Sequence, residues 1–184
     1  ELKNRVVFYD FSEIGKNVPN RLVGGFDDEF QGDMVPSVTY MGDPYSCAFS
    51  GKALTFFSSR NLASPELLEQ RTIEERIDSV FYSDEYAAAI VRNTNGEYGS
   101  RLEVYKKDGT HVLSKEFNFE YTHADFDGDL IILYNEDSCR IYNMSGTEKF
   151  DATFDFPVSR IRKGRFPGTL VVTGPQQMRE LKLH

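Results

Sequence analysis

Tryptophan is absent from these 184 residues, histidine occurs three times and cysteine twice. The longest uncharged apolar run, "YAAAIV" from Tyr86 to Val91, is far short of the ~20 residues that span a bilayer as a helix, so this stretch of chain holds no such span. The opening residues, "ELKNRVVFYDF", lack the basic, apolar and small-residue zones of a secretory signal. They also lack an initial Met, and so read as an expression boundary or a cleavage point. Cys47 and Cys139 are separated by 92 residues, which matches neither a disulfide framework nor a metal-binding spacing; two buried, unbonded thiols are expected. His111, His123 and His184 contain no pair at i, i+2 or i, i+4, so no imidazole metal site is expected. No long run of Lys and Arg exists either. With 29 acids against 21 bases, a net charge of −8, the chain has no cationic stripe for counterion release, and nucleic acid is not expected as a partner.

What is present is an aromatic core. Fifteen Phe and ten Tyr, with 40% apolar residues, describe a packed globule, and the length favours one domain over residues 1–184. The segment "CRIYNMSGTEKFDATF" (Cys139 to Phe154) matches "LEVYKKDGTHVLSKEF" (Leu102 to Phe117): Val104, Tyr105, Gly109 and Thr110 fall on Ile141, Tyr142, Gly146 and Thr147, 37 residues on. Each copy reads as a β-hairpin whose turn, Asp108-Gly109 or Ser145-Gly146, accommodates positive φ. "ALTFFSSRNLASPELLEQRTI" is a looser third copy, and "VVFYDFSEIGKNVPNRLVGGF" a fourth with a longer turn. Between these outer hairpins lie inner ones. Matching Val38, Val80, Ala124 and Ile161 gives steps of 42, 44 and 37 residues, the length of a four-stranded propeller blade. A sandwich or up-and-down barrel gives no reason for self-similarity at that period. One helix-like segment, "SPELLEQRTIEERI", has Ser64 and Pro65 as a start signal, but the repeat requires a fourth strand there.

The predicted fold is therefore all-β, with about four blades of four antiparallel strands. Three complete blades span Val35–Ile73, Ile77–Phe119 and Thr122–Phe154, followed by three strands over Val158–Leu183 and preceded by two near Val6–Phe11 and Arg21–Phe26. Closing four blades into a ring would put five strands in the blade where the ends meet. The chain is thus expected to be an arc, or half-propeller, of a larger propeller, with apolar surface at both ends. Its missing half, or a second copy, would cover that surface.

The outer hairpins are similar to the repeat of quinoprotein-type propellers, where an Asp-x-x-x-Gly-like turn precedes an aromatic docking residue. Leu113 and Phe150 stand where that family has Trp, and no residue of a quinone site carries over. The stretches "VVFYDFSEIGKNVPNRLVGGF", "CAFSGKALTFFS" and "SVFYSDEYAAAIV" resemble the second half of an uncharacterised propeller family of Gram-positive bacteria. That resemblance covers essentially the whole chain. It implies a full-length protein about twice as long, anchored in the membrane by an N-terminal segment, with the propeller on the extracellular face; cytoplasm is the alternative compartment. It implies no activity.

Several constellations could carry chemistry, and each has a structural reading beside it. "DFDGDLIILYNE" places Asp125, Asp127, Asp129 and Glu136 at calcium-loop spacing, but Leu130 stands where the loop needs Gly, and Asp127-Gly128 reads as a hairpin turn. Gly24-Gly25 lacks the Lys and helix of a phosphate cradle and reads as a β-bulge or tight turn. No Gly-x-Ser-x-Gly elbow accompanies a Ser-His-Asp set. "RIRKGRF", Arg160 to Phe166, is the one basic cluster, read as solvated strand charge or an anion-docking patch. No catalytic, cofactor or metal residue is nominated. The expected function is a non-catalytic interaction module binding a protein or a cell-surface polymer. The alternative is an enzyme or cofactor-binding propeller working through its central channel, which would require Asp78, Asp125 and Arg160 to converge there.

Overall fold

The structure is a computed structural model that describes residues 4–12, 15–16, 21–26, 30, 35–93 and 97–183. Two N-terminal strands, β1 (Val6–Tyr9) and β2 (Leu22–Phe26), pair only with each other among the described residues. Three four-stranded antiparallel meanders follow. The first blade is β3 (Ser37–Tyr40), β4 (Tyr45–Phe49), β5 (Ala53–Ser58) and β6 (Glu66–Thr72). The second is β7 (Ile77–Tyr82), β8 (Tyr86–Arg92), β9 (Ser100–Lys106) and β10 (His111–Phe117). The third is β11 (His123–Asp127), β12 (Leu130–Tyr134), β13 (Ser138–Asn143) and β14 (Glu148–Thr153). A three-stranded sheet of β15 (Arg160–Lys163), β16 (Thr169–Thr173) and β17 (Met178–Lys182) closes the chain. No α-helix occurs among the described residues, and the helix-like segment is β6.

Burial pattern follows strand position. The middle strands are covered on both faces and read as continuous apolar runs, as in "YAAAIV" of β8 and "LIILY" of β12, where Leu130 to Tyr134 are all buried. The outermost strands cover a neighbour with one face only, so β6 and β14 alternate between half-buried and exposed residues. Four core clusters join consecutive sheets. Phe57 and Ala48 pack under β1–β2; Cys47, Phe56 and Ala89 lie between the first two blades; Leu102, Phe126 and Ile131 between the second and third; and Ile132, Ile161 and Val172 between the third and the last sheet. Among the described residues no such cluster joins the first sheet to the last.

The 37-residue repeat has a tertiary cause. Gly109 (φ +86°) and Gly146 (φ +78°) turn the outer hairpins, and each turn presses onto the outermost strand of the preceding blade. A Cβ at Gly109 would lie 2.5 Å from Glu69 Cβ, and one at Gly146 would lie 2.9 Å from Leu113 Cδ1. Leu113 thus lies directly under the turn of the next blade. The outer pairs also share a bulge, at Phe56/Phe57, His111/Leu113 and Ile141/Tyr142. Gly24 lies opposite Phe8 while Leu22 lies opposite Tyr9, so Gly24-Gly25 adjoins the bulge of the first sheet.

One expectation is corrected. Apolar surface is unequal at the two ends of the stack, and sparser on the last sheet. The outward face of the last sheet carries Arg160, Thr169, Val171, Thr173, Met178, Glu180 and Lys182, because the alternation sends Ile161, Leu170 and Val172 inward. The first sheet instead turns Val7, Tyr9 and Leu22 outward, with Val6 and Phe8 packed inward.

Candidate functional site

Where the second and third blades meet, the crossover from β10 to β11 (residues 118–122) runs along one end of the sheets and floors an open groove of about 1470 Å³. Its walls are the start of β7 (Asp78, Ser79), the end of β8 with its connection to β9 (Arg92, Asn93, Gly99) and the β12–β13 turn (Asn135, Glu136, Asp137). Thr94 to Gly96 of the "NTNGEYGS" loop lie outside the described residues.

Two asparagines stiffen this surface. Asn118 Oδ1 accepts the Gly99 N–H at 2.6 Å, tying the crossover to the β8–β9 connection. Asn135 Nδ2 donates to the Glu120 carbonyl at 2.7 Å, while its Oδ1 accepts the Ser138 N–H at 2.8 Å. Between them, Tyr121 OH and Ser79 Oγ are 2.7 Å apart, and burial pushes the phenol's pKa up, so it stays protonated at neutral pH. The Arg140 guanidinium sits 5.3 Å from the Phe119 ring centre and donates to the Asn118 carbonyl. Four carboxylates line the groove against one guanidinium. Arg92 bonds Asp78 at 3.0 Å, and Asp137 accepts from Ser138 Oγ at 2.7 Å. Glu120 and Glu136 make no ion pair among the described residues, so the groove faces solvent with uncompensated negative charge beside two aromatic rings.

The other sequence candidates resolve into structural roles. Asp125 pairs with Arg162 at 2.7 Å, and Asp127 and Asp129 bond Lys163, so three carboxylates of the calcium-spaced run bridge β11 and its turn to β15. This also accounts for two of the four cations in "RIRKGRF". Gly128 (φ +62°) forms the expected hairpin turn. Asp78, Asp125 and Arg160 do not form one constellation: Asp78 is held by Arg76 and Arg92, Asp125 by Arg162, and Arg160 is exposed. Glu103, nearly buried, receives Ser114 Oγ at 2.9 Å, Arg101 Nε at 2.6 Å and His111 Nε2 at 3.1 Å. Serine and histidine there meet one carboxylate rather than each other, which is a cross-strand polar lock and not a nucleophile with its base. His123 stacks on Tyr134 at 4.8 Å, and His184 lies outside the described residues. Cys47 and Cys139 are free and buried in different clusters. Among the described residues no group of three His, Cys, Asp or Glu side chains is placed to hold a metal ion.

Sequence reasoning missed Asn118, Phe119, Glu120, Tyr121 and Asn135 as a surface. The available signal was "NFEYT", a crossover in which aromatic residues alternate with an acid where a plain polar linker would suffice.

The chain is similar in fold to several WD40 propellers. The WD40 domain of Neurospora crassa Pan2 superposes with a TM-score of 0.51 at 10% identity, covering 98% of this chain and 56% of that one. HIRA(644-1017) gives 0.52 at 11% identity, over 78% and 50%. BBS1N, solved in complex with ARL6DN, gives 0.52 at 9% identity, over 88% and 55%. This chain spans about half the length of the solved structures it matches. No curated protein matches its sequence significantly. A model described as "Family of unknown function (DUF5711)" matches residues 1–183, and the chain belongs to that family.

Proposed function

We propose that the chain is a non-catalytic interaction module, an arc of a larger propeller, whose docking surface is the groove floored by the 118–122 crossover. The observation that carries this reading is the pairing of Phe119 and Tyr121 with the unpaired carboxylates of Glu120 and Glu136 on a backbone held by Asn118 and Asn135. A partner suited to it is a protein segment carrying Lys or Arg: cations meet the carboxylates, and their aliphatic stems or a neighbouring apolar residue cover the rings. The pre-set backbone keeps the ordering cost of binding low. The sequence resemblance implies an N-terminal membrane anchor, and on that expectation the surface is displayed outside the cell.

The test is binding of a fluorescein-labelled Lys- and Arg-rich decapeptide, followed by anisotropy at two salt concentrations. Exposed ion pairs are worth about 0.2–1 kcal/mol each, so the double reversal Glu120→Lys/Glu136→Lys should weaken binding about tenfold, with the fold intact by circular dichroism. Affinity unchanged by the reversal, or indifferent to salt, refutes the groove as the docking surface.

A further inference from the structure

Two residues of the first blade's inner strand obey the repeat in sequence but not in environment. Val38 and Tyr40 of β3 correspond to Val80 and Tyr82 of β7, 42 residues on. Val80 pairs with Ala89 and Tyr82 with Ala87, so both face the preceding blade. There Val80 packs into the core between blades, and Tyr82 stacks on Phe49 of β4 at 6.1 Å. Val38 pairs with Ala48 and Tyr40 with Ser46, so they face the preceding sheet in the same way. They meet nothing comparable: Val38 is 52% exposed and Tyr40 62%.

The reason is that β1 and β2 cover only the outer part of that face. Phe8 and Phe26 sit on Phe57 of β5 at 5.6 and 5.0 Å, and Gly24 lies against Pro65 beside β6. The two strands therefore occupy the third and fourth positions of a blade; Phe30 joins the buried cluster at Ala48 of β4, and no described strand fills the first and second positions, over Val38 and Tyr40. Among the described residues β1 has no partner on its inner edge.

We infer that this face is the seat of an antiparallel strand pair, supplied by polypeptide outside these 184 residues, that hydrogen-bonds to the inner edge of β1 and covers Val38 and Tyr40. By the pattern of the next junction, its second strand presents an aromatic residue to Tyr40, as Phe49 does to Tyr82. The inference rests on the larger-propeller part of the reading above and is independent of the groove. A second copy of this chain is the poorer occupant: β15 and β16 could take the first and second positions, but they carry β17 with them, and β17 would contend with β1 for the third position.

The experiment compares the 184-residue chain with the product of the full reading frame that contains it, using a hydrophobic dye, light scattering and amide hydrogen exchange. The short chain should bind dye, and exchange at Ser37–Tyr40 should be at least tenfold slower in the longer product, which should not bind dye. Tyr40→Asp in the longer product should restore dye binding and fast exchange there, whereas Glu120→Lys/Glu136→Lys should leave both unchanged. Equal exchange in the two proteins, or a short chain that binds no dye as a monomer, overturns the inference. A symmetric dimer of the short chain with slow exchange at Tyr40 overturns it in favour of the second copy.

Discussion

Replacing the turn glycines tests whether the repeat exists to dock one blade on the next. Three glycines with similar positive φ offer a graded series. At Gly168 (φ +71°) a Cβ would meet nothing within 4 Å, so Gly168→Ala should cost only the left-handed backbone penalty, about 1 kcal/mol. At Gly146 the new Cβ would lie 2.9 Å from Leu113 Cδ1, the far end of a side chain that can shift; overpacking of this kind adds about 1–2 kcal/mol, giving about 2–3 in total. At Gly109 it would lie 2.5 Å from Glu69 Cβ and 3.1 Å from Phe56 Cδ2. Glu69 Cβ is fixed to the backbone, so the blades themselves must part, and the cost should reach about 4 kcal/mol. Guanidinium unfolding followed by far-ultraviolet circular dichroism should therefore rank the midpoints Gly168→Ala, Gly146→Ala, Gly109→Ala from highest to lowest. A cycle sharpens the point: Leu113→Ala removes the atom that the methyl added by Gly146→Ala would strike, so the pair should be less costly than the sum of its singles by about 1 kcal/mol, whereas Leu113→Ala with Gly109→Ala should be additive. Equal effects at Gly146 and Gly168, or no coupling to Leu113, would show that the repeated glycines serve only their own turns.

Two further outcomes are expected. Burial raises the thiol pKa of Cys47 and pushes that of Cys139 up to about 12, so neither should react with a disulfide reagent at pH 8 until the protein unfolds, when both should; a linked peptide pair in the unreduced protein would contradict the separation of their clusters. Asp129 is held below the usual carboxylate range by Lys163, Glu75 by its bond from Arg101, and Asp108 by the Thr110 N–H. Their folded-state pKa values lie below the unfolded ones, so the stability they contribute is complete above about pH 4–5 and is lost as pH falls through the folded values. Denaturant midpoints measured from about pH 6 down to about pH 2.5 should fall on the acid side; a midpoint that rises between about pH 5 and pH 3 would contradict the assignment.

The blades were legible because the features that define them are local. A turn at Asp108-Gly109 or Ser145-Gly146, with alternating residues either side, is decided within a few residues of chain, and a period of about 41 residues needs only that such signals recur. What could not be read is what those residues meet across a junction. Nothing near Gly109 in sequence announces Glu69, 40 residues earlier, and Asp125 and Arg162 look like separate solvated charges until β11 and β15 stand side by side. The groove was missed for the same reason. Asn118 and Asn135 are ordinary loop residues in sequence, and they become a frame only because one reaches Gly99 and the other the Glu120 carbonyl.

The two ends of the stack differ in a way that strand counting alone could not reveal, and the difference gives assembly a direction. Fully burying an apolar side chain is worth about 1.5–3 kcal/mol, so covering the exposed halves of Val38 and Tyr40 supplies about 2 kcal/mol, with Val7, Tyr9 and Leu22 available to the sheet beyond. The outward face of the last sheet offers Arg160, Thr169, Thr173, Glu180 and Lys182 around half-buried Val171 and exposed Met178, and its edge strand, β17, carries exposed Lys182 and Glu180, the charged residues that discourage edge pairing. A propeller containing this arc is therefore held at its N-terminal junction by apolar packing of the same kind that joins the blades. At its C-terminal junction Val171 and Met178 are the apolar residues among polar ones, whose contacts water can replace, so that seam is the one expected to open first under denaturant.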